Sequence, residues 1–66
     1  MVVDRNNKKL NVGDCVLWYD PDEETRDLNR VWAIDEIKGE NEDSFILISD
    51  DFSEAEVFGW ELELYF

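Results

Sequence analysis

Apolar residues occur in short runs along the chain, and residues that favour turns separate the runs. β-branched and aromatic side chains dominate these runs, which is typical of strands rather than of helices. The pattern predicts strands at residues 15–19, 30–38, 44–49 and 54–58, with residues 2–3 as a short additional strand. In the run 54–58, Ala55 and Val57 are expected to face the core because they alternate with two glutamates that are expected to face water.

A long acidic stretch, residues 20–29, separates the first two of the four main runs. Asp20 followed by Pro21 and Glu23 fits the start of a helix, with a capping residue, a proline at the first position and a capping-box carboxylate. The stretch nevertheless offers only Leu28 as an apolar anchor, and short helices without a buried face are unstable. We therefore predict a surface loop that contains one helical turn.

The remaining connections are short. Residues 39–43 and residues 50–53 are rich in Gly, Asp, Asn and Ser, and they are predicted to be the tight turns of two hairpins. The final stretch, residues 59–66, is predicted to begin with one helical turn and to end in a last strand.

The order of these elements, together with a few local motifs, indicates a fold. The informative segments are Val12-Gly13-Asp14 with Val16, residues 32–37, residues 45–48, and Ala55-Glu56-Val57 leading into residues 60–64. In these features the chain resembles the SH3-like barrels of the Tudor, KOW and bacterial SH3-like type, and it also resembles small acidic bacterial proteins of unassigned function. We expect an all-β fold: a small SH3-like barrel of about five strands with a short helical turn before the last strand.

Length limits the number of domains to one. We expect residues 1–66 to form a single SH3-like barrel domain, with residues 1–9 as a loose or edge segment at the N-terminus. The resemblance implies no one function, because this superfold serves many.

Charge is the most unusual feature of the composition. The chain has 6 basic and 18 acidic residues, so its net charge is 6 − 18 = −12. Its 44% of hydrophobic and 14% of aromatic residues are too many for an acidic disordered tail. The excess of carboxylates argues against direct binding to nucleic acid or to an anionic membrane, since both need a basic patch.

Side chains that carry catalysis are scarce. The chain has no His and a single cysteine, Cys15, which excludes an internal disulfide and a thiolate zinc cluster. The acidic stretch from Asp20 superficially resembles a calcium loop, but Thr25 stands where glycine is required and Val31 where the closing glutamate would be. We predict a protein that is not an enzyme and that has no cofactor and no metal site.

Cellular location is predicted from two features. The N-terminal residues lack the apolar run of a signal peptide, and no apolar run is longer than five residues, which is too short to span a bilayer. Cys15 is expected to be a small buried residue in a reducing compartment. Both features favour a cytoplasmic protein.

Aromatic residues beside carboxylates form the candidate binding surface. The residues chosen for it are Trp18, Tyr19, Asp20, Asp22, Glu23 and Glu24, with Trp32 and Trp60 as neighbours. Aromatic rings supply contact area and cation–π attraction, and carboxylates steer and orient a basic partner. The pattern thus predicts a protein-interaction module that binds a protein or a basic peptide.

Two other functions are compatible with the same sequence. A compact, strongly acidic protein can act as a nucleic-acid mimic that inhibits a DNA- or RNA-binding protein. Apolar residues on both faces of the first two strands also allow a structural or homodimeric accessory protein, so the chain is expected to be a monomer or a homodimer.

Overall fold

The strands follow the apolar runs closely. The computed structural model describes residues 1–65. It contains β1 (Cys15–Trp18), β2 (Trp32–Lys38), β3 (Phe45–Ser49), β4 (Glu54–Phe58) and β5 (Leu62–Leu64), with one 3-10 turn, η1 (Gly59–Glu61), between β4 and β5. The predicted all-β class, the five strands and the helical turn before the last strand are confirmed. Membership of the SH3-like superfold stays a prediction.

The five strands form one antiparallel sheet in the order β4-β3-β2-β1-β5. A bulge interrupts β2, where the register with β3 shifts between Ile34 and Glu36 and leaves Asp35 as an extra residue. An extra residue reverses which positions face inwards, so the inward series passes from Trp32 and Ile34 to Ile37. The bulge also bends the strand, which helps the sheet to curve.

Nine apolar side chains form the core, and they come from every strand and from the N-terminal segment. They are Val2, Leu10, Val16, Trp32, Ile34, Ile46, Ile48, Val57 and Leu62. The described residues contain no α-helix that could cover one face of the sheet. These side chains are therefore buried because the sheet curves around them. In β4 the expected alternation holds, since Val57 is buried, Ala55 is partly buried and both glutamates are exposed.

The N-terminal segment packs along the outer edge of β5. Val3 pairs with Lys9 in an isolated bridge, so the predicted additional strand is reduced to one pair. The backbone N–H of Arg5 donates to the carbonyl of Leu62 at 2.8 Å. A carboxylate oxygen of Asp4, which is buried, accepts the N–H of Leu64 at 2.9 Å. Residues 1–9 thus lie along the edge of the sheet, the second of the two predicted alternatives, instead of lying loose.

Glycine is required where this segment meets η1. A Cβ built on Gly59 would lie 2.2 Å from the carbonyl oxygen of Val3, which is backbone and has little freedom to move. The close approach fixes the start of η1 against the N-terminal segment.

The acidic loop between β1 and β2 has no helix assigned to it. A single turn is present, in which the N–H groups of Thr25 and Arg26 donate to the carbonyl of Asp22 at 3.2 and 3.1 Å. Pro21 and the residues from Asp22 to Asn29 are exposed, as a surface loop requires. Over residues 1–65, no helix is both long enough and apolar enough to cross a membrane.

Candidate functional site

Trp18 is turned towards the interior. Its indole N–H donates to Oε1 of Glu61 at 3.3 Å, and its ring meets that of Trp32 edge-on, with 5.4 Å between centroids and 90° between planes. The side chain is half-buried and packs against the core. Most of its polar and apolar surface is already engaged within the fold.

Tyr19 also has internal partners. Its hydroxyl donates to Oε1 of Glu63 at 2.9 Å, and the guanidinium carbon of Arg5 lies 3.6 Å from the centre of its ring. The hydrogen bond to Glu63, followed by burial, raises the pKa of the Tyr19 phenol above its usual value. An intramolecular cation therefore occupies the ring face that the sequence offers to a basic partner.

Carboxylates of the acidic loop accept hydrogen bonds from the backbone of the loop itself. Oδ1 of Asp20 accepts the N–H of Asp22, and Oδ1 of Asp22 accepts the N–H of Glu24, both at 3.0 Å. Nε of Arg26 donates to the carbonyl of Asp20 at 2.9 Å. Glu23 and Glu24 are exposed to solvent. Two of the four predicted carboxylates thus shape the loop.

Trp32 lies in the core, with only 3% of its surface exposed. The guanidinium of Arg30 covers its ring at 4.3 Å and also pairs with Asp50. The structure therefore corrects the expectation that Trp32 borders a surface site. The inward parity of β2 places this side chain among the buried aliphatic residues, where its large area stabilises a small domain.

Cys15 requires a second correction. The expected buried cysteine is exposed. It precedes Val16, which is fully buried, and successive residues of a strand face opposite sides of the sheet.

Trp60 is the most accessible of the predicted aromatic site residues, with 59% of its surface exposed. It stacks on Phe58 with 5.9 Å between centroids and 13° between planes, and Phe58 stacks on Phe45 at 4.8 Å and 28°. Phe45 is 45% exposed. We call these three residues the aromatic strip.

Strand register produces the strip. Phe45 and Phe58 are direct partners in the β3–β4 pairing, so both rings stand on the same face of the sheet. That face is opposite to the core, since their neighbours Ile46 and Val57 are buried. The chain then enters η1, which brings Trp60 onto the free face of Phe58.

Two clefts lie beside Trp60. The first has a volume of about 180 Å³ and is lined by Arg5, Tyr19, Pro21, Arg26, Trp60 and Glu61. The second has a volume of about 210 Å³ and is lined by Val3, Asp4, Glu42, Asp43 and Trp60. The first therefore contains two guanidinium groups and the second three carboxylates.

The carboxylates of the second cleft differ in availability. Asp4 accepts the N–H groups of Asn6 and Lys8 at 2.9 and 2.8 Å in addition to that of Leu64. Glu42 and Asp43 are exposed, and their carboxylates have no hydrogen bond or ion pair with any other residue of 1–65. Free carboxylates beside an exposed indole form a surface suited to a cationic side chain.

The site residues predicted from the sequence do not include Phe45, Phe58, Glu42 or Asp43. A signal for Phe45 exists, because the two-residue turn Asp51-Phe52 between β3 and β4 fixes which residues pair across the hairpin. Counting outwards from that turn pairs Phe45 with Phe58. No comparable local signal brings the β2–β3 turn next to Trp60, since that contact depends on how the sheet curves.

The described residues contain no group of three or more His, Cys, Asp or Glu side chains that could hold a metal ion. Comparisons with known proteins add no relative: no family model matches the chain, and searches of curated proteins and of solved structures find no significant match.

Proposed function

We propose that the protein binds another protein through the aromatic strip. The observation that carries this proposal is a stack in which the half-buried ring of Phe58 lies between the exposed rings of Phe45 and Trp60. Exposed rings in contact with one another form a contiguous apolar surface, and such surfaces on small soluble proteins mark interaction sites. Tryptophan in particular is enriched among the residues that dominate binding energy.

Charge selects the partner in this proposal. Glu42 and Asp43 flank Trp60 with carboxylates that are free of internal ion pairs, within a chain of net charge −12. A basic segment is attracted to this surface over several ångströms and is oriented by it. The preferred partner is therefore a protein segment that combines Lys or Arg with an apolar side chain.

The aromatic strip also separates this proposal from the nucleic-acid mimic. A mimic relies on carboxylates at phosphate-like spacing, whereas here the accessible surface around Trp60 is interrupted by stacked rings. The nucleic-acid mimic and the homodimeric accessory protein remain alternative predictions. Neither function requires a basic peptide to bind at Trp60.

Selection from a displayed library of random 12-residue peptides tests the proposal. Peptides selected on the wild-type chain are expected to be rich in Lys and Arg with one apolar residue. Trp60→Ala is expected to weaken their binding at least about tenfold, as truncation of a central aromatic residue does. Phe52→Ala is the matched control, because Phe52 is 90% exposed and lies in the β3–β4 turn outside the strip.

The proposal is wrong if selected peptides bind Trp60→Ala and the wild type equally well, or if no peptide is enriched over the library. Equal losses for Trp60→Ala and Phe52→Ala would also contradict it, because a general loss of apolar surface would then explain the effect.

A further inference from the structure

The two outer edges of the sheet differ. At the β5 edge, the N-terminal segment hydrogen-bonds to the carbonyl of Leu62 and to the N–H of Leu64. At the β4 edge, no residue of 1–65 outside β3 hydrogen-bonds to the backbone of Glu54 or Glu56. An uncovered strand edge is a template for another strand.

The hydrogen-bond phase of the β3–β4 hairpin shows which groups are free. Its turn is closed by the N–H of Asp50, which donates to the carbonyl of Ser53 at 2.9 Å. Hydrogen-bonded and non-hydrogen-bonded pairs alternate along an antiparallel pair. Ala55 and Val57 therefore bond to β3, whereas the N–H and C=O groups of alternate residues, Glu54 among them, point outwards.

Phe58 agrees with this phase. Its N–H is not directed at β3 but donates to Oε2 of Glu61 at 2.7 Å. The outward groups that stay open are then both backbone groups of Glu54, both of Glu56 and the carbonyl of Phe58. Five groups in one row suit a short extended chain.

We propose that the β4 edge accepts an extended segment of the partner protein, which adds a sixth strand antiparallel to β4. This inference rests on the proposed function and specifies how the partner docks. The segment pairs with Phe58, Glu56 and Glu54 in turn, and its side chains opposite them stand on the same exposed face of the sheet.

Charge then defines the sequence of the segment. Opposite-charge pairs across neighbouring strands are stabilising and like-charge pairs are destabilising. Two exposed glutamates and the ring of Phe58 therefore select a segment that reads, from its N-terminus, apolar-x-basic-x-basic. The apolar side chain reaches the aromatic strip while the two basic side chains lie over Glu56 and Glu54.

A second copy of the chain is a poor occupant of this edge. In the antiparallel self-pairing that makes the most pairs, Glu56 would stand directly opposite Glu56 of the copy. Each copy also carries a net charge of −12, which opposes association. The charge of the edge thus favours a basic partner over self-association.

Amide hydrogen exchange measured by NMR on the whole chain tests the inference. The probe is the heptapeptide acetyl-Thr-Phe-Val-Lys-Val-Lys-Thr-amide. Without peptide, the amides of Glu54 and Glu56 are expected to exchange much faster than those of Ala55 and Val57. With peptide at ten times its Kd, exchange at the two glutamates is expected to slow about tenfold, the limit set by occupancy.

N-methylation of the peptide supplies a matched pair of probes. The N–H of the first lysine faces β4 in the proposed pairing, whereas the N–H of the valine between the two lysines faces away. Methylation at the lysine nitrogen is expected to weaken binding at least tenfold, and methylation at that valine nitrogen is expected to change it less than about threefold. Equal effects would overturn the strand pairing.

A charge swap tests the proposed side-chain pattern. Glu54→Lys with Glu56→Lys is expected to abolish binding of the lysine peptide and to confer binding of the same peptide with both lysines replaced by glutamate. Asp35→Lys with Glu40→Lys makes the same change of charge at two exposed carboxylates outside β4 and is expected to leave the preference for the lysine peptide intact.

The outcomes separate this inference from the function on which it rests. Peptides that depend on Trp60 but leave the exchange of Glu54 and Glu56 unchanged would overturn edge docking and leave the proposed function standing. Peptides that protect these amides without any dependence on Trp60 would overturn the aromatic strip as the binding surface. Protection that rises with protein concentration in the absence of peptide would identify a second copy as the occupant and overturn the basic partner.

Discussion

Two groups of aromatic residues in this small domain have opposite surroundings. Trp18, Tyr19 and Trp32 each contact a charged side chain of the same chain. Phe45 and Trp60 stack only through Phe58 and leave much of their surface to solvent. The difference shows that aromatic content alone does not identify a binding surface, because internal partners decide which rings are available.

The distribution of basic residues explains this difference for Tyr19 and Trp32. Of the 6 basic side chains, Arg5 and Arg30 cover the rings of Tyr19 and Trp32. The second cleft beside Trp60 is lined by acidic and apolar residues with no Lys or Arg. Cations therefore cover two of the three rings of the first group, whereas the second cleft beside Trp60 leaves the aromatic strip open to a cation from outside.

The largest effect is expected from the same substitution made in both groups. Trp32→Ala should lower the free energy of unfolding by about 3–5 kcal/mol, because it leaves a cavity among buried residues. Trp60→Ala should lower it by less than about 1 kcal/mol, because most of the ring is in water. Urea unfolding followed by circular dichroism measures both values without relying on tryptophan fluorescence.

Trp32→Phe keeps the comparison measurable if Trp32→Ala does not fold, since a domain of this size has only about 3–10 kcal/mol of stability at ~0.05–0.15 kcal/mol per residue. Phenylalanine should cost less than alanine but still more than Trp60→Ala. If substitutions at Trp32 and at Trp60 lowered the free energy of unfolding by similar amounts, the two groups of aromatic residues would not differ in their contribution to stability.

The next effect concerns the segment that carries Arg5 to Tyr19. Asp4 accepts three backbone N–H groups, from Asn6, Lys8 and Leu64. Asp4→Ala leaves these donors without their partner and should lower the free energy of unfolding by about 2–3 kcal/mol. It should also free the Tyr19 ring from Arg5, which NMR shifts of the ring protons would report.

Asp14→Ala is the matched control for this substitution. Asp14 caps one exposed backbone N–H, that of Asn11 at 2.8 Å, so its loss should cost about 0.5–1 kcal/mol. If Asp4→Ala lowered the free energy of unfolding no more than Asp14→Ala does, the hydrogen bonds of Asp4 would not be what holds the N-terminal segment, and with it Arg5, in place.

Local patterns were enough to predict the strands. Alternation in β4 and the apolar runs of β1 and β3 are properties of neighbouring residues, and the positions of the two hairpin turns follow from Gly, Asp and Ser. The role of residues 1–9 was not predictable in this way. Arg5 and Tyr19 are 14 positions apart, and no periodic pattern joins them.

The candidate site was predicted less well for a related reason. Adjacency in sequence placed Trp18 and Tyr19 beside the acidic loop, but Asp20 and Asp22 also favour turns in which their carboxylates bond to the backbone two residues ahead. Trp60, which the sequence names as a neighbour of that surface, is exposed in the structure. Glu42 and Asp43 come from the β2–β3 turn, which only the curvature of the sheet brings close to Trp60, whereas Phe45 joins the aromatic strip through its strand pairing with Phe58.

The smallest expected effect is a pH dependence of stability that comes from Asp50, whose partner Arg30 covers the ring of Trp32. Burial raises the pKa of the Asp50 carboxyl, but the N–H of Phe52, the guanidinium of Arg30 and the N–H of Ser53 together outweigh it, so the pKa lies below its usual value. A carboxyl with a lowered pKa in the folded state contributes stability above its unfolded pKa, near 4, and loses it as pH falls through the folded pKa.

In urea unfolding, Asp50→Asn should therefore lower the free energy of unfolding relative to the wild type at pH 7, and it should lower it less at pH 2–3. Asp51→Asn makes the same change of charge at the exposed neighbouring position and should show no such loss of effect. A cost for Asp50→Asn that is equal at both pH values would mean that its pairing with Arg30, and hence the cation over Trp32, does not depend on the ionised carboxylate.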